Sequence, residues 1–100
     1  MTKLRTAPAA RDDLRNIRSF SKAKFGAAVA KTYLEGLTAI FDLIEARPSA
    51  GVPEQGLGEG MRSFSFRSHR IYYRLNDEDV LVVRVLHHAQ HVAGAFGLDE

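Results

Sequence analysis

Residues 60 to 75 read Gly60-Met61-Arg62-Ser63-Phe64-Ser65-Phe66-Arg67-Ser68-His69-Arg70-Ile71-Tyr72-Tyr73-Arg74-Leu75, and their period decides the fold class. Phe64 and Phe66 alternate with Ser63 and Ser65, and Ile71, Tyr73 and Leu75 alternate with Arg70, Tyr72 and Arg74. A period of two puts successive side chains on opposite faces of a sheet. Val80 to His87 follows as a β-branched run. Ser68-His69 and Asn76-Asp77-Glu78-Asp79 are polar connections of hairpin length, so these three strands are predicted to form an antiparallel meander.

Before Gly60 the period is helical. Ala30, Tyr33, Leu34, Leu37, Ile40, Phe41 and Ile44 form an unbroken stripe between Ala27 and Arg47, and Pro48 ends it. A first helix opens at Pro8, whose fixed φ suits that position, and carries Leu14, Ile17, Phe20 or Ser21, and Phe25 at helical spacing. Arg11, Asp12, Asp13, Arg15 and Arg18 face elsewhere, and the two aspartates favour the positive end of the helix dipole. Gly26 alone interrupts, so the two helices are predicted to be an antiparallel hairpin. Gly51, Pro53, Gly56, Gly58 and Gly60 predict an irregular loop after it.

Lys3 to Thr6 reads as a short strand, and His88 to Phe96 has room for a short helix that Gly94 and Gly97 oppose. The expected fold is α+β: an N-terminal strand, a two-helix hairpin and a three-stranded meander. The helices would cover one face of a four-stranded, mostly antiparallel sheet, with the first strand at an edge or beside the last strand.

One hundred residues suffice for one core, so residues 1–100 are read as a single domain. Hydrophobic residues at 45% and charged residues at 26% are far from the signature of disorder. With no cysteine, disulfides, thiol nucleophiles and Cys-ligated zinc are out. No apolar run follows the positive charges near Met1, and none approaches the ~20 residues of a membrane span, so a cytoplasmic protein with no membrane association is expected. The net charge of +2 suits an acidic protein partner as well as nucleic acid.

Particular residues then become recognisable. Ala7-Pro8-Ala9-Ala10 with Asp13-Leu14 and Ile17, Arg47-Pro48 with Gly51, Gly60-Met61-Arg62, His69 to Arg74, and Val83-Arg84-Val85-Leu86-His87 occur in the order and spacing of the RelE/ParE toxins. The chain resembles this family over nearly its whole length, and the ending Arg84-Val85-Leu86-His87 resembles the ParE branch more than RelE. The resemblance implies the toxin of a type II toxin–antitoxin pair, neutralised by a cognate ParD-like antitoxin in a heterotetramer or larger assembly. It would touch operator DNA only indirectly, through the antitoxin. ParE-branch members are generally associated with poisoning DNA gyrase, whereas RelE-like members cleave mRNA on the ribosome. A non-toxic member acting in the antitoxin complex and operon autoregulation is the third reading. Two departures stand out. Ala7 occupies the place of a helix-capping serine, at a cost of about 1 kcal/mol. His91 stands where many ParE-like sequences carry an aspartate.

RelE-like toxins are implied to use lysines on the second strand, arginines on the sheet and a tyrosine in the tail. This chain has Ser63 and Ser65 near the lysine positions, no tail tyrosine, and His88 about where an arginine is expected; only Arg70 transfers. A ribonuclease reading would rest on Arg70, His87 and His88. A binding inhibitor of gyrase, without catalysis of its own, is the preferred expectation. Its target surface would be Arg70, Tyr72, Arg74, Arg84 and His87, with Arg70, Tyr72 and Arg74 on the sheet face away from the helices. The competing reading pairs these arginines with Asp77, Glu78, Asp79, Asp99 or Glu100 on a solvated face.

Arg62 shares the parity of Phe64 and Phe66 and reads as structural, and His87 as partly buried at the end of the last strand. His87 with His91, or His88 with His91, has the spacing of two ligands on a helix, but a third is not evident, so neither metal nor cofactor is expected. Glu54 and Glu59 read as solvated loop carboxylates. Leu14, Ile17, Phe20, Phe25, Val29 and Tyr33 are the candidate antitoxin-binding residues, in a groove expected on the outer side of the hairpin.

Overall fold

The computed structural model describes residues 3–77 and 79–98; Glu78, Asp99 and Glu100, named above as partners for the sheet arginines, lie outside the described residues. The elements run β1 (Lys3–Thr6), α1 (Pro8–Phe25), α2 (Ala27–Ala46), β2 (Val52–Pro53), β3 (Met61–Phe66), β4 (His69–Asn76), β5 (Asp79–His87) and α3 (Val92–Ala95). The sheet order is β1-β5-β4-β3-β2. β3, β4 and β5 form the antiparallel meander, and β1 lies parallel to β5 at one edge. One element is new. Val52 and Pro53 pair with Ser63 and Arg62, giving five strands where four were expected. A two-residue strand has no period to read, and proline is tolerated on an edge.

The hairpin turns on Gly26 alone, whose φ of 95° is open to glycine and costly for other residues. Its N–H donates to Lys22 O and its carbonyl accepts from Ala30, so one residue closes α1 and opens α2. At the other end of α1, Ala7 offers no side-chain cap; its N–H instead donates to Val82 O at 2.9 Å, extending the β1–β5 ladder up to the helix. Asp12 and Asp13 fall beyond the first turn of α1, so their contribution to the helix dipole is smaller than the sequence implied.

Ala10, Ile17, Leu37 and Ile44 of the hairpin bury against Ile71, Tyr73, Val80, Val82 and Val85 of the sheet. The α2 stripe is as predicted. On α1 the buried line runs through Ala10, Ile17 and Ser21, with Leu14 packed beside it, and leaves out Phe20 and Phe25. Ser21 stands one turn from Ile17, whereas Phe20 is rotated about 100° off that line.

A second, smaller cluster of Met61, Tyr72 and Leu86 lies on the opposite face of the sheet, packed by Leu57, Val83, Val92, Ala95 and Phe96. This corrects the expectation of an open face there. Tyr72 is only 5% exposed, and its ring meets Phe96 edge-on with centroids 5.4 Å apart.

The register of β4 on β5 slips between Tyr72 and Tyr73, which face Arg84 and Val82, so Val83 is an extra residue. The bulge flips the parity of everything after it: Val80 and Val82 face the hairpin before it, Val85 and His87 after it. β1 pairs with β5 only as far as Val82, and from there Asp13 of α1 takes over the edge. Its carboxylate accepts from Val85 N at 2.8 Å and from Arg84 Nε and Nη2 at 2.8 and 2.9 Å, and Arg84 Nη1 donates to Ala95 O at 3.1 Å.

The turn after α2 is pinned by Tyr73, whose hydroxyl donates to Pro48 O at 2.6 Å and accepts from Gly51 N at 2.9 Å. A Cβ at Gly51 would stand 2.5 Å from that oxygen. Arg62 donates to Gly51 O at 2.6 Å, in keeping with a structural role.

Replacing Asp13 by alanine strands Arg84 and the Val85 N–H together. Thermal melting of Asp13→Ala is expected to show a loss of about 2 kcal/mol, roughly 10 °C in Tm, with Asp13→Asn losing less.

Candidate functional site

Away from the hairpin, Ser63 and Tyr72 are cross-strand partners and Arg70 lies two residues along β4 on the same face. Arg70 Nη1 donates to Ser63 Oγ at 2.7 Å, and the Ser63 hydroxyl donates to Glu54 Oε2 at 2.5 Å. Ser63 is 1% exposed, while Arg70 and Glu54 are half-buried. Burial pushes the Tyr72 phenol above its ordinary pKa, the Glu54 carboxylate pushes it further, and Arg70 opposes both. Carboxylate, hydroxyl, guanidinium and phenol therefore form one polar cluster.

Glu54 corrects its reading as a solvated loop residue. The β2–β3 pairing carries the loop back over the sheet, and Glu54 N donates to Met61 O at 2.8 Å. Its neighbours Pro53, Gln55 and Gly56 hold no signal of this. Glu59 is exposed, as expected.

The other residues of the expected target surface are dispersed. Arg74 shares the face of Arg70 but lies against the turn at Gly58 and Gly60, with its Nε buried and unpaired. Tyr72 is buried under Phe96, and Arg84 is committed to Asp13 on α1, a partner outside the acidic set considered from the sequence. His87 is on the hairpin side, where its ring meets His69 edge-on at 5.3 Å, and it is exposed where a partly buried residue was expected. His88 follows the strand and pairs its Nε2 with Arg67 O at 2.7 Å. Arg70, His87 and His88, the ribonuclease set, thus do not converge. Among the described residues no group of three or more His, Asp or Glu could hold a metal ion.

A cleft of about 750 Å³ opens between the turn end of the hairpin and the end of the sheet. Ile17, Phe20, Phe25, Val29 and Tyr33 line it together with His69, Val85 and His87. Phe20, Phe25 and Val29 are 62, 57 and 51% exposed, and Lys24 Nζ lies over both phenylalanine rings. The groove was expected on the outer side of the hairpin; the one these residues line is on the sheet side. Only Leu14 belongs to the outer cleft, of about 770 Å³, rimmed by Arg15, Arg18, Lys22 and Lys31.

At the floor of the sheet-side cleft, Tyr33 Oη lies 2.7 Å from His69 Nδ1 and accepts from Ser68 N at 3.3 Å. With the Tyr33 proton directed to Nδ1 rather than to the more distant Phe66 O at 3.5 Å, that nitrogen must be unprotonated. Burial, reinforced by His87 and His88 and opposed by Asp13, lowers the His69 pKa from 6.5 to about 4. The unfolded chain therefore takes up this proton first as pH falls, so the His69 contribution to stability is intact above about 6.5 and lost on the way down to about 4. An NMR titration of the His69 ring is expected to give a midpoint near 4, and a midpoint near 6.5 would contradict the buried, Tyr33-bonded geometry.

The comparisons with known proteins agree with this architecture. Residues 4–92 match the family model for the ParE toxin of the type II toxin–antitoxin system parDE. Toxin ParE3 of Caulobacter vibrioides is 32% identical over 94% of this chain and 93% of its own length, and Toxin ParE1 of the same organism is 30% identical over 97% of this chain and all of its own. Toxin ParE1 of Mycobacterium tuberculosis is 33% identical over 86% of this chain and 89% of its own. A solved chain from the chromosomal ParDE TA system of P. aeruginosa superposes with a TM-score of 0.76 at 18% identity, covering 87% of this chain and 96% of that one. Sequence, fold and family model converge: the chain belongs to the ParE toxin family of type II toxin–antitoxin systems.

Proposed function

We propose that this ParE-family toxin arrests growth by binding and inhibiting DNA gyrase, without catalysing a reaction of its own, and that a ParD-like antitoxin neutralises it. The observation that carries the binding reading is the separation of the sheet's polar groups. Arg70 stands on one face and His87 on the other, so histidines that would shuttle protons do not meet the cation that would stabilise a phosphorane. What remains is a guanidinium held on a sheet face, suited to recognising an anionic group.

The antitoxin segment is assigned to the sheet-side cleft. Phe20, Phe25 and Val29 are large apolar side chains exposed together beside Ile17 and Tyr33, the chemistry an amphipathic segment buries when it folds on its partner. Leu14 supports the hairpin from its other side. The complex is a hetero-oligomer of four or more chains in the cytoplasm, and it reaches operator DNA through the antitoxin.

One observation favours a second reading. Glu54 lies one hydroxyl away from Arg70, which gives a ribosome-dependent mRNA endonuclease a candidate base that the histidines do not supply.

Purified toxin is expected to inhibit supercoiling by purified gyrase, and induced cells to show no codon-phased mRNA cuts by primer extension. Normal supercoiling at excess toxin, with phased cuts in mRNA, would reverse the choice. Separately, Phe25→Ala and Val29→Ala should each weaken antitoxin binding by roughly fivefold to thirtyfold in a calorimetric titration, leaving supercoiling inhibition intact.

A further inference from the structure

Arg70 and Glu54 are oppositely charged and close, yet among the described residues no salt bridge joins them; the Ser63 hydroxyl stands between. Ser63 accepts from Arg70 and donates to Glu54, so its single proton and its lone pair are both committed in one direction. The relay sits beside Met61, Tyr72 and Leu86, with Ser63 fully buried at 1% exposure. A polar chain in such a place gains little net stability, because the cost of removing it from water offsets most of its attraction. Its distinctive effect is on geometry.

An arginine side chain has many rotamers, and a partner that meets it must first immobilise it. Here Nη1 is tied down by Ser63, which leaves Nε and Nη2 outside that bond. Among the described residues no carboxylate pairs with this charge directly, and the planar fork is pre-set for a two-point contact with a carboxylate.

We propose that Ser63 and Glu54 are positioning residues that lock Arg70 in the conformation that meets an acidic side chain on the toxin's target protein. This rests on the binding reading above. Glu54 orients the serine hydroxyl, the serine fixes the guanidinium, and only the guanidinium touches the target.

A double-mutant cycle tests it, with gyrase inhibition and growth arrest as parallel readouts and antitoxin affinity and melting as controls of folding. Ser63→Ala and Glu54→Ala are expected to lower potency about tenfold, the order of one side chain's lost preorganisation, with antitoxin affinity unchanged. Arg70→Ala should lose at least as much, and Ser63→Ala combined with Arg70→Ala should be no weaker than Arg70→Ala alone. Glu54→Gln, whose amide oxygen still accepts from Ser63, should recover most of what Glu54→Ala loses. Additive losses, a fully active Arg70→Ala, or a Ser63→Ala as potent as the parent overturn the relay. Glu54→Gln as inactive as Glu54→Ala overturns it too, because Glu54 would then be acting through its charge or as a base in mRNA cleavage. If Ser63→Ala fails to melt cooperatively, the Glu54→Ala arm decides. The expected cycle in growth arrest without any effect on purified gyrase keeps the relay and removes gyrase as the target.

Discussion

The carboxylate of Asp13 is the constraint around which the two layers are assembled. It accepts from Arg84 and from the Val85 N–H at the point where β1 stops covering the edge of β5. A sheet edge left open beside a helix would leave backbone donors unsatisfied in a poorly hydrated place, which costs more than any single packing contact there returns. One side chain from α1 answers that need and at the same time fixes how the hairpin lies on the sheet. The bulge at Val83 belongs to the same arrangement, since without the extra residue Arg84 would face into the core packed by Val82 and Val85.

From that geometry follow two distinct surfaces. The hairpin closes one face of the sheet but not its far end, where Phe20, Phe25 and Val29 are left around the Tyr33–His69 pair. The reverse face is closed in part by α3 and Phe96, and its polar remainder is gathered into the chain from Glu54 through Ser63 to Arg70. An apolar cleft and a hydrogen-bonded cation thus lie on opposite sides of one sheet. Under the proposed function, separation of this kind would let neutralisation and attack depend on different residues.

Parts of the site were legible and parts were not, for identifiable reasons. Arg70 could be placed on the outer face because strand parity in β4 is unbroken before Tyr72. Ile17, Phe20, Phe25, Val29 and Tyr33 could be grouped because they flank the turn between the two helices at Gly26. His87 was assigned to the wrong face because a bulge leaves no mark in a run of β-branched residues, and Arg84 to the wrong partners because Asp13 lies 71 residues away in sequence. Glu54 was missed because its place depends on a two-residue strand pairing with a segment nine residues away.

Periodicity, proline and glycine by themselves determined the order of the longer elements, the hairpin at Gly26 and the meander, because each of these is a matter of near neighbours along the chain, and the order and spacing of particular residues carried the likeness to the family. Tertiary structure alone decided which face each side chain after Val83 occupies, which carboxylate holds Arg84, and that Tyr72 is covered while Arg70 is bonded to Ser63. Those outcomes depend on partners distant in sequence, Asp13 with Arg84, Glu54 with Ser63, Tyr72 with Phe96. Their energies compare burial against hydrogen bonding at a contact that exists only once the layers have met.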